Sequence, residues 1–346
     1  MRFLTIIGHF SFKKESFDGQ TIKTKIVCEE IEKSFPTEKV KKIDTHGHFL
    51  SFLKAPFYSY SSVKNSKNIL ILLGKNGLRR YSPLLFFLNK KRKTKLFYVV
   101  IGGWLPSFIG QNKKMIKYLS AFDGIYVETI SMKQSLLSMG LCNVFVAPNC
   151  KQLNIIEKKD NVHFTEPPFK LCTFSRVMKE KGIEDAINAV SAINEMFSKP
   201  VCELDIFGQV DASQRQWFED LKLSFPNFIR YSGIIPFDKS TEVLANYFLL
   251  LFPTYYDGEG FAGTIIDAFA AGLPVVASEW KYNPELISDG KTGLLFETHN
   301  VQQLINKILW SIKNVDIIES MRLNCASKAK MFLPENALSN LLSALK

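Results

Sequence analysis

Glu259 and Asp267 stand eight residues apart with Gly260 and Gly263 between them, inside the stretch YYDGEGFAGTIIDAFAAGLPVVASEWKYNPELISDGKTGLLF (Tyr255 to Phe296). An ionised carboxylate only accepts hydrogen bonds, so such a pair suits ligand hydroxyls. The glycines mark a loop, and the apolar run TIIDAFAAG that follows has helical spacing. A loop that opens a helix offers the helix's unpaired N–H groups to an anion. Glu259 then lies on the loop and Asp267 about two turns further on, so the two acids address separate parts of one elongated ligand. The plainer reading is an ordinary helix–strand unit with two surface acids.

The elements that would position these residues follow a repeating pattern. Phe3 to Ile7 is a continuous apolar run ended by Gly8, as expected of a central parallel strand. Phe17-Asp18-Gly19-Gln20-Thr21 then opens a helix carrying Ile22, Ile26, Val27 and Ile31. That segment is either a phosphate-binding turn or a simple helix N-cap. It is neither a Walker loop nor a G-x-G-x-x-G fingerprint. Further strands are expected at Ile69–Leu73, Leu96–Ile101, Gly124–Glu128 and Asn143–Ala147, with a helix over Ser131–Gly140. The loop Gly102-Gly103-Trp104-Leu105-Pro106 follows a strand directly, so it opens at the carboxyl edge of the sheet, where ligands gather. After a polar stretch over residues 151–168, strands recur at Leu171–Phe174, Val201–Phe207, Ile229–Ile235 and Leu249–Pro253, with helices between. Strands alternating with helices in both halves predict an α/β protein of two doubly wound, Rossmann-like domains facing across a cleft. The expected domains are 1–150 joined by a C-terminal helix at about 334–346, a linker at 151–168, and 169–333.

The Glu259 stretch resembles the donor-binding signature of the retaining glycosyltransferases of family 4, which have the GT-B fold. Glu259 takes the first acidic position and Asp267 the second, one methylene shorter than the family's Glu. The tail Gly272-Leu273-Pro274-Val275-Val276-Ala277-Ser278 and the Gly290-Lys291-Thr292-Gly293 turn extend the match. The segment Ser175-Arg176-Val177-Met178-Lys179-Glu180-Lys181-Gly182 resembles the family's strand-to-helix loop, with Arg176 and Lys181 at the two positions that hold the diphosphate. Two fixed cations there stabilise the charge that gathers on a leaving diphosphate, without a metal. The resemblance further implies that Glu259, with the backbone N–H groups of Gly260, Phe261 and Ala262, holds the transferred sugar and that Asp267 binds the ribose. It also implies that Gly19 presses against the diphosphate and that the Gly233 region packs the base. The family's usual histidine near the Gly102 edge is missing, and His9, just after the first strand, is either its replacement or a structural histidine. The resemblance covers the whole length, specifically over residues 171–296 and loosely before 150, where an acceptor would bind.

The implied activity is transfer of a hexosyl unit from a nucleotide diphosphate sugar to an acceptor hydroxyl, with retained configuration. The sugar donor is a substrate, and no cofactor is expected. A lipid-linked glycan in bacterial surface polysaccharide or capsule synthesis is the expected acceptor. Two other classes stay open: a GT-B isomerase or hydrolase of the nucleotide sugar, and a non-catalytic partner in a membrane glycan assembly.

Charge is uneven along the 346 residues: residues 1–150 hold 24 Lys+Arg against 9 Asp+Glu, whereas the whole chain carries +11. A basic first half points to an anionic surface. In residues 84–95, LLFFLNKKRKTK, apolar side chains run into Lys90, Lys91, Arg92, Lys93 and Lys95. This reads as a buried helix with a solvated end or as an interfacial membrane contact, the second ranked first. Nucleic acid ranks third, because no docking motif or stacking aromatics interleave the charges. The six cysteines show no paired spacing, so a reducing cytosol is expected. His46-Gly-His48 lacks a third ligand nearby, and no metal is expected. No apolar run reaches the roughly 18–20 residues of a membrane span, and MRFLTIIGHF reads as a first strand and not a signal peptide. The expected location is cytoplasmic, peripheral at the inner face of the cell membrane.

Overall fold

The computed structural model describes residues 2–12, 18–45, 53–157 and 166–346. His46 and His48, Phe17, and part of the 151–168 stretch lie outside the described residues. The chain divides into two compact units, Met1–Gln152 with Phe332–Lys346, and Leu153–Met331.

Unit 1 runs β1 (Arg2–Gly8), α1 (Gly19–Ser34), β2 (Val40–Asp44), α2 (Ala55–Asn65), β3 (Ser66–Leu72), α3 (Lys75–Asn89) and β4 (Lys95–Val99). It continues through α4 (Leu105–Gln111), α5 (Lys114–Leu119), β5 (Gly124–Val127), α6 (Ile130–Ser138) and β6 (Val144–Val146). The six strands form one parallel sheet in the order β2-β1-β3-β4-β5-β6. Leu4, Ile6 and Ile7 on β1 have no exposed surface, as a central strand covered on both faces requires.

Unit 2 runs β7 (Phe169–Phe174), a 3-10 turn (Lys179–Lys181), α7 (Ile183–Glu195), β8 (Cys202–Phe207), α8 (Arg215–Lys222) and β9 (Ile229–Gly233). There follow α9 (Ser240–Leu244), β10 (Leu249–Phe252), α10 (Gly263–Ala270), β11 (Val275–Ser278), α11 (Asn283–Leu286), β12 (Gly293–Phe296), α12 (Val301–Lys313) and α13 (Val315–Ala329). Its parallel sheet has the order β12-β11-β10-β7-β8-β9, which is the 3-2-1-4-5-6 order of a dinucleotide-binding sheet counted from β7. Each unit is thus doubly wound and Rossmann-like.

The chain ends in α14 (Pro334–Ala337) and α15 (Ser339–Leu345), which pack into the core of unit 1. Leu338, Leu341 and Leu345 are fully buried there, each contributing about 1.5–3 kcal/mol. Asn68 on β3 donates to the Leu345 carbonyl at 3.1 Å. All six cysteines are free; five are buried and Cys142 is exposed. Among the described residues no helix is long and apolar enough to cross a membrane.

Candidate active site

In an open parallel sheet, ligands gather beyond the carboxyl ends of the strands where the strand order reverses. In unit 2 that point lies between β7 and β10, which pair with each other. The loop leaving β7 carries Arg176 and Lys181; the loop leaving β10 carries Glu259. Two segments far apart in the chain therefore emerge side by side.

The contact between them is an ion pair: Lys181 Nζ bonds Glu259 Oε2, and the two side chains are only 11% and 10% exposed. Thr254 donates to the same carboxylate oxygen at 3.0 Å. The rings of Phe252 and Tyr256 lie 5.5 and 5.1 Å from the ammonium, placing a cation against two aromatic faces. The Tyr255 N–H donates to the Glu180 carbonyl at 2.8 Å and ties the two loops together.

Gly182 makes this approach possible. It ends the 3-10 turn at φ +70°, and a Cβ there would sit 2.2 Å from the Pro253 carbonyl oxygen. Any other residue would strain the backbone and push the Lys181 turn off the β10 loop. Beneath the Glu259 loop lies a brace from the segment after β11. Ser278 Oγ donates to the Thr254 carbonyl at 2.5 Å, Trp280 Nε1 to the Tyr256 carbonyl at 2.8 Å, and Lys281 Nζ to the Asp257 carbonyl. Lys281 adopts φ 47°, a left-handed conformation uncommon outside glycine.

The helix expected after Gly263 is α10. No side chain caps its N-terminus, and Thr264 Oγ1 spans from its first turn to the Phe174 carbonyl at the end of β7, 2.8 Å away. The first turn of α10 follows Gly260, Phe261 and Ala262 directly, at the end of the loop that carries Glu259. Asp267 lies one turn deeper on α10 and is 5% exposed, so a hydroxyl would reach it only at the bottom of a crevice.

Arg176 stands apart. Its guanidinium is 58% exposed and pairs with Asp211 at 3.4 Å, not with Glu259. Bonds from the Ser213 side chain and backbone, aided by Arg176, hold the Asp211 carboxyl below its ordinary range. Gly233 ends β9 at φ 79°, and its carbonyl accepts from the Gly208 N–H at 2.8 Å.

In unit 1, Gly19 is the first residue of α1, and a Cβ on it would meet nothing within 4 Å. Of the two readings of that segment, this structure displays the N-cap. Asp18 Oδ1 accepts from the N–H groups of Gln20 and Thr21, each at 3.0 Å. A second buried ion pair joins Lys23 on α1 to Glu128 just past β5, 2.5 Å apart and 3% exposed on both sides, and no spacing in the sequence announces it. Thr254 and Tyr256 are not singled out in the sequence either, and their only signal is that they precede the glycine loop; Trp280, after β11, carries none.

The fold is shared with known proteins. The Anabaena Alr3699/HepE protein, solved with UDP, superposes with a TM-score of 0.75 at 15% identity, covering 100% of this chain and 99% of that one. The lipopolysaccharide outer core galactosyltransferase WaaB gives 0.73 at 14% identity, over 99% and 98%. The fold is that of the GT-B glycosyltransferases. Residues 154–331 match the family described as glycosyl transferases group 1, and the chain belongs to that family. The poly(ribitol-phosphate) alpha-N-acetylglucosaminyltransferase of Staphylococcus aureus (strain COL) is 24% identical over 266 residues, 75% of this chain and 51% of that protein. The chain spans about half the length of that relative.

Proposed function

We propose that the chain is a retaining glycosyltransferase of the family-4 type, moving a hexosyl unit from a nucleotide diphosphate sugar to an acceptor hydroxyl in surface-glycan synthesis. The observation that carries this is the Lys181–Glu259 pair at the switch point of unit 2, beside an uncapped helix start. Lys181 and Arg176 hold the diphosphate. The N–H groups of Gly260, Phe261 and Ala262 hold the sugar together with Glu259, and Asp267 takes the ribose.

In the reaction the bond from the anomeric carbon to the phosphate oxygen breaks and a bond to the acceptor oxygen forms on the same face. The acceptor's proton goes to the departing phosphate. Negative charge grows on the diphosphate as the bond breaks, and cations already in place stabilise it without reorganisation. The name of the S. aureus relative, an alpha-transferase acting on a polyol phosphate polymer, supports an α-linked product on a surface glycan. A lipid-linked acceptor places the work at the inner face of the membrane, and the basic first unit supports that location.

The test is a thermal-shift panel of nucleoside diphosphates and their sugars, UDP first, followed by turnover with and without acceptor. One nucleotide should raise the midpoint, by adding roughly 2.7 kcal/mol of stability at a hundred times its Kd. Arg176→Ala should abolish the shift. Donor turnover without any acceptor would move the reading to an isomerase or hydrolase, and no nucleotide response would remove the enzyme.

A further inference from the structure

Helix α2 is built inside out. The residues it buries are Ala55, Ser59, Ser62 and Val63, while Phe57 is 67% exposed and Tyr60 49%. Leu53, just before the helix, is 54% exposed. Leu53, Phe57, Tyr60 and Lys64 are spaced four, three and four apart, so they form one stripe. A helix packed on a sheet normally turns its large apolar side chains inward. The inward Ser62 hydroxyl bonds its own backbone, to the Tyr58 carbonyl at 2.7 Å, and demands no partner across the interface.

The stripe continues onto neighbouring helices. The connections β2 to β3, β3 to β4 and β4 to β5 all progress in one direction across the sheet, so right-handed crossovers put α2, α3 and α5 on the same face. Helix α2 packs on α3, and α3 on α5. Thr94, just after α3, donates to the Val63 carbonyl at 3.1 Å, so the ends of α2 and α3 lie together. At that end Phe87 is 55% exposed. Phe86 meets Tyr118 of α5 edge-on at 5.4 Å. Lys90 lies 5.2 Å from the Phe87 ring and Lys117 6.0 Å from the Phe86 ring. From Thr45 through Phe122 the sequence has 14 Lys and Arg and no Asp or Glu.

We infer that this face of unit 1 docks on an anionic lipid surface, with the Leu53–Phe57–Tyr60 stripe and Phe87 at the acyl boundary and the lysines among the headgroups. It deepens the membrane part of the proposed function by naming the surface. Lysine stems lie along apolar surface while their ammonium groups reach outward to phosphate. Aromatic side chains backed by a polybasic rim without acids fit an anionic interface. A protein interface would instead deplete lysine at its core.

The test is co-sedimentation of the full chain with vesicles of phosphatidylcholine alone, or in equal parts with phosphatidylglycerol, at low and high salt. The protein should bind the anionic vesicles only and come off with salt. Phe57→Ser/Tyr60→Ser/Phe87→Ser should lower the partition coefficient by about tenfold or more. Lys90→Gln/Lys91→Gln/Lys93→Gln should lower it about a hundredfold, at roughly a factor of five per lysine. Lys25→Gln/Lys39→Gln, on the α1 side of the sheet, should bind as the parent does. All these side chains are exposed, and unchanged thermal midpoints verify folding. Because vesicle binding needs no donor, UDP-induced stabilisation of the aromatic variant should stay intact even where lipid binding is lost. Equal loss in the α1-side control would overturn the assignment to this face. So would binding to neutral vesicles alone, no vesicle binding, or lipid-free self-association that the aromatic variant abolishes.

Discussion

Replacing Glu259 by Gln should tighten the binding of UDP while weakening sugar transfer. The Glu259 carboxylate is the counter-ion of Lys181. A diphosphate held by that lysine would meet the carboxylate's negative charge. Two unit charges about 6 Å apart at an effective dielectric of about 20 repel by about 3 kcal/mol. Neutralisation of the phosphate by Lys181 and Arg176 leaves roughly half of that, a tenfold gain in UDP affinity for the neutral amide. The ligand-free protein should lose about 1–2 kcal/mol, because a lysine 11% exposed between Phe252 and Tyr256 has lost its charged partner. For a domain of roughly 150–250 residues that is a midpoint about 2–8 °C lower, which UDP should largely restore. UDP-sugar should gain less over UDP than in the parent, because the carboxylate no longer accepts from the sugar. The assay is paired melting curves with UDP and UDP-sugar, plus kcat on any acceptor. If UDP stabilises the Gln variant no more than the parent, the charge repulsion between Glu259 and the diphosphate is refuted; if Lys181→Met responds to UDP like the parent, the assignment of Lys181 to the diphosphate is wrong.

Asp267→Ala should raise donor KM by about tenfold with kcat within about twofold, because ribose contacts persist from ground to transition state; steady-state kinetics showing a pure kcat loss would remove that role. Gly182→Ala touches no ligand yet should cost about 2–4 kcal/mol and abolish the UDP response, since its Cβ meets the Pro253 carbonyl at 2.2 Å; chemical denaturation and UDP melting curves check it. Glu128→Leu should destabilise unit 1 by about 3–5 kcal/mol by stranding Lys23, and adding Lys23→Met should recover most of the loss. Additive costs in that pair, measured by urea unfolding, would show that the two residues do not act together.

The strands and the Glu259 loop were legible because buried parallel strands are continuous apolar runs and glycines punctuate their ends. The strand order was not. Lys181 and Glu259 are 78 residues apart, and only the pairing of β7 with β10 brings their loops together. Asp18 and Gly19 could be read as a cap or a phosphate turn, and no spacing rule chooses between them, since both use the same backbone N–H groups. In residues 84–95 the buried-helix reading describes only part of the segment: Leu85 is fully buried and Phe87 is 55% exposed on the same helix. The inversion of α2 has no signature in its composition, since Ser and Ala at inward positions are recognisable only once the sheet beneath them is known. In the sequence Gly182 is only the last residue of the strand-to-helix loop; its need comes from a carbonyl on another strand's loop.

Glu259 therefore has two duties that a single substitution confounds. A lysine this buried beside two rings needs a counter-ion, and Glu259 supplies it from within the site. Moving the β10 loop moves the carboxylate, and with it the charge that Lys181 presents to a ligand. A loss of transfer in Glu259→Ala would then contain both a missing sugar contact and a displaced cation. The Gln variant separates them, since it keeps an acceptor near Thr254 and Lys181 but removes the charge. Retained UDP stabilisation with lost transfer assigns the carboxylate to the sugar. Simultaneous loss of both assigns it to positioning Lys181, and Thr254→Val, which removes the 3.0 Å bond from below, should then reproduce a weaker version of the same defect.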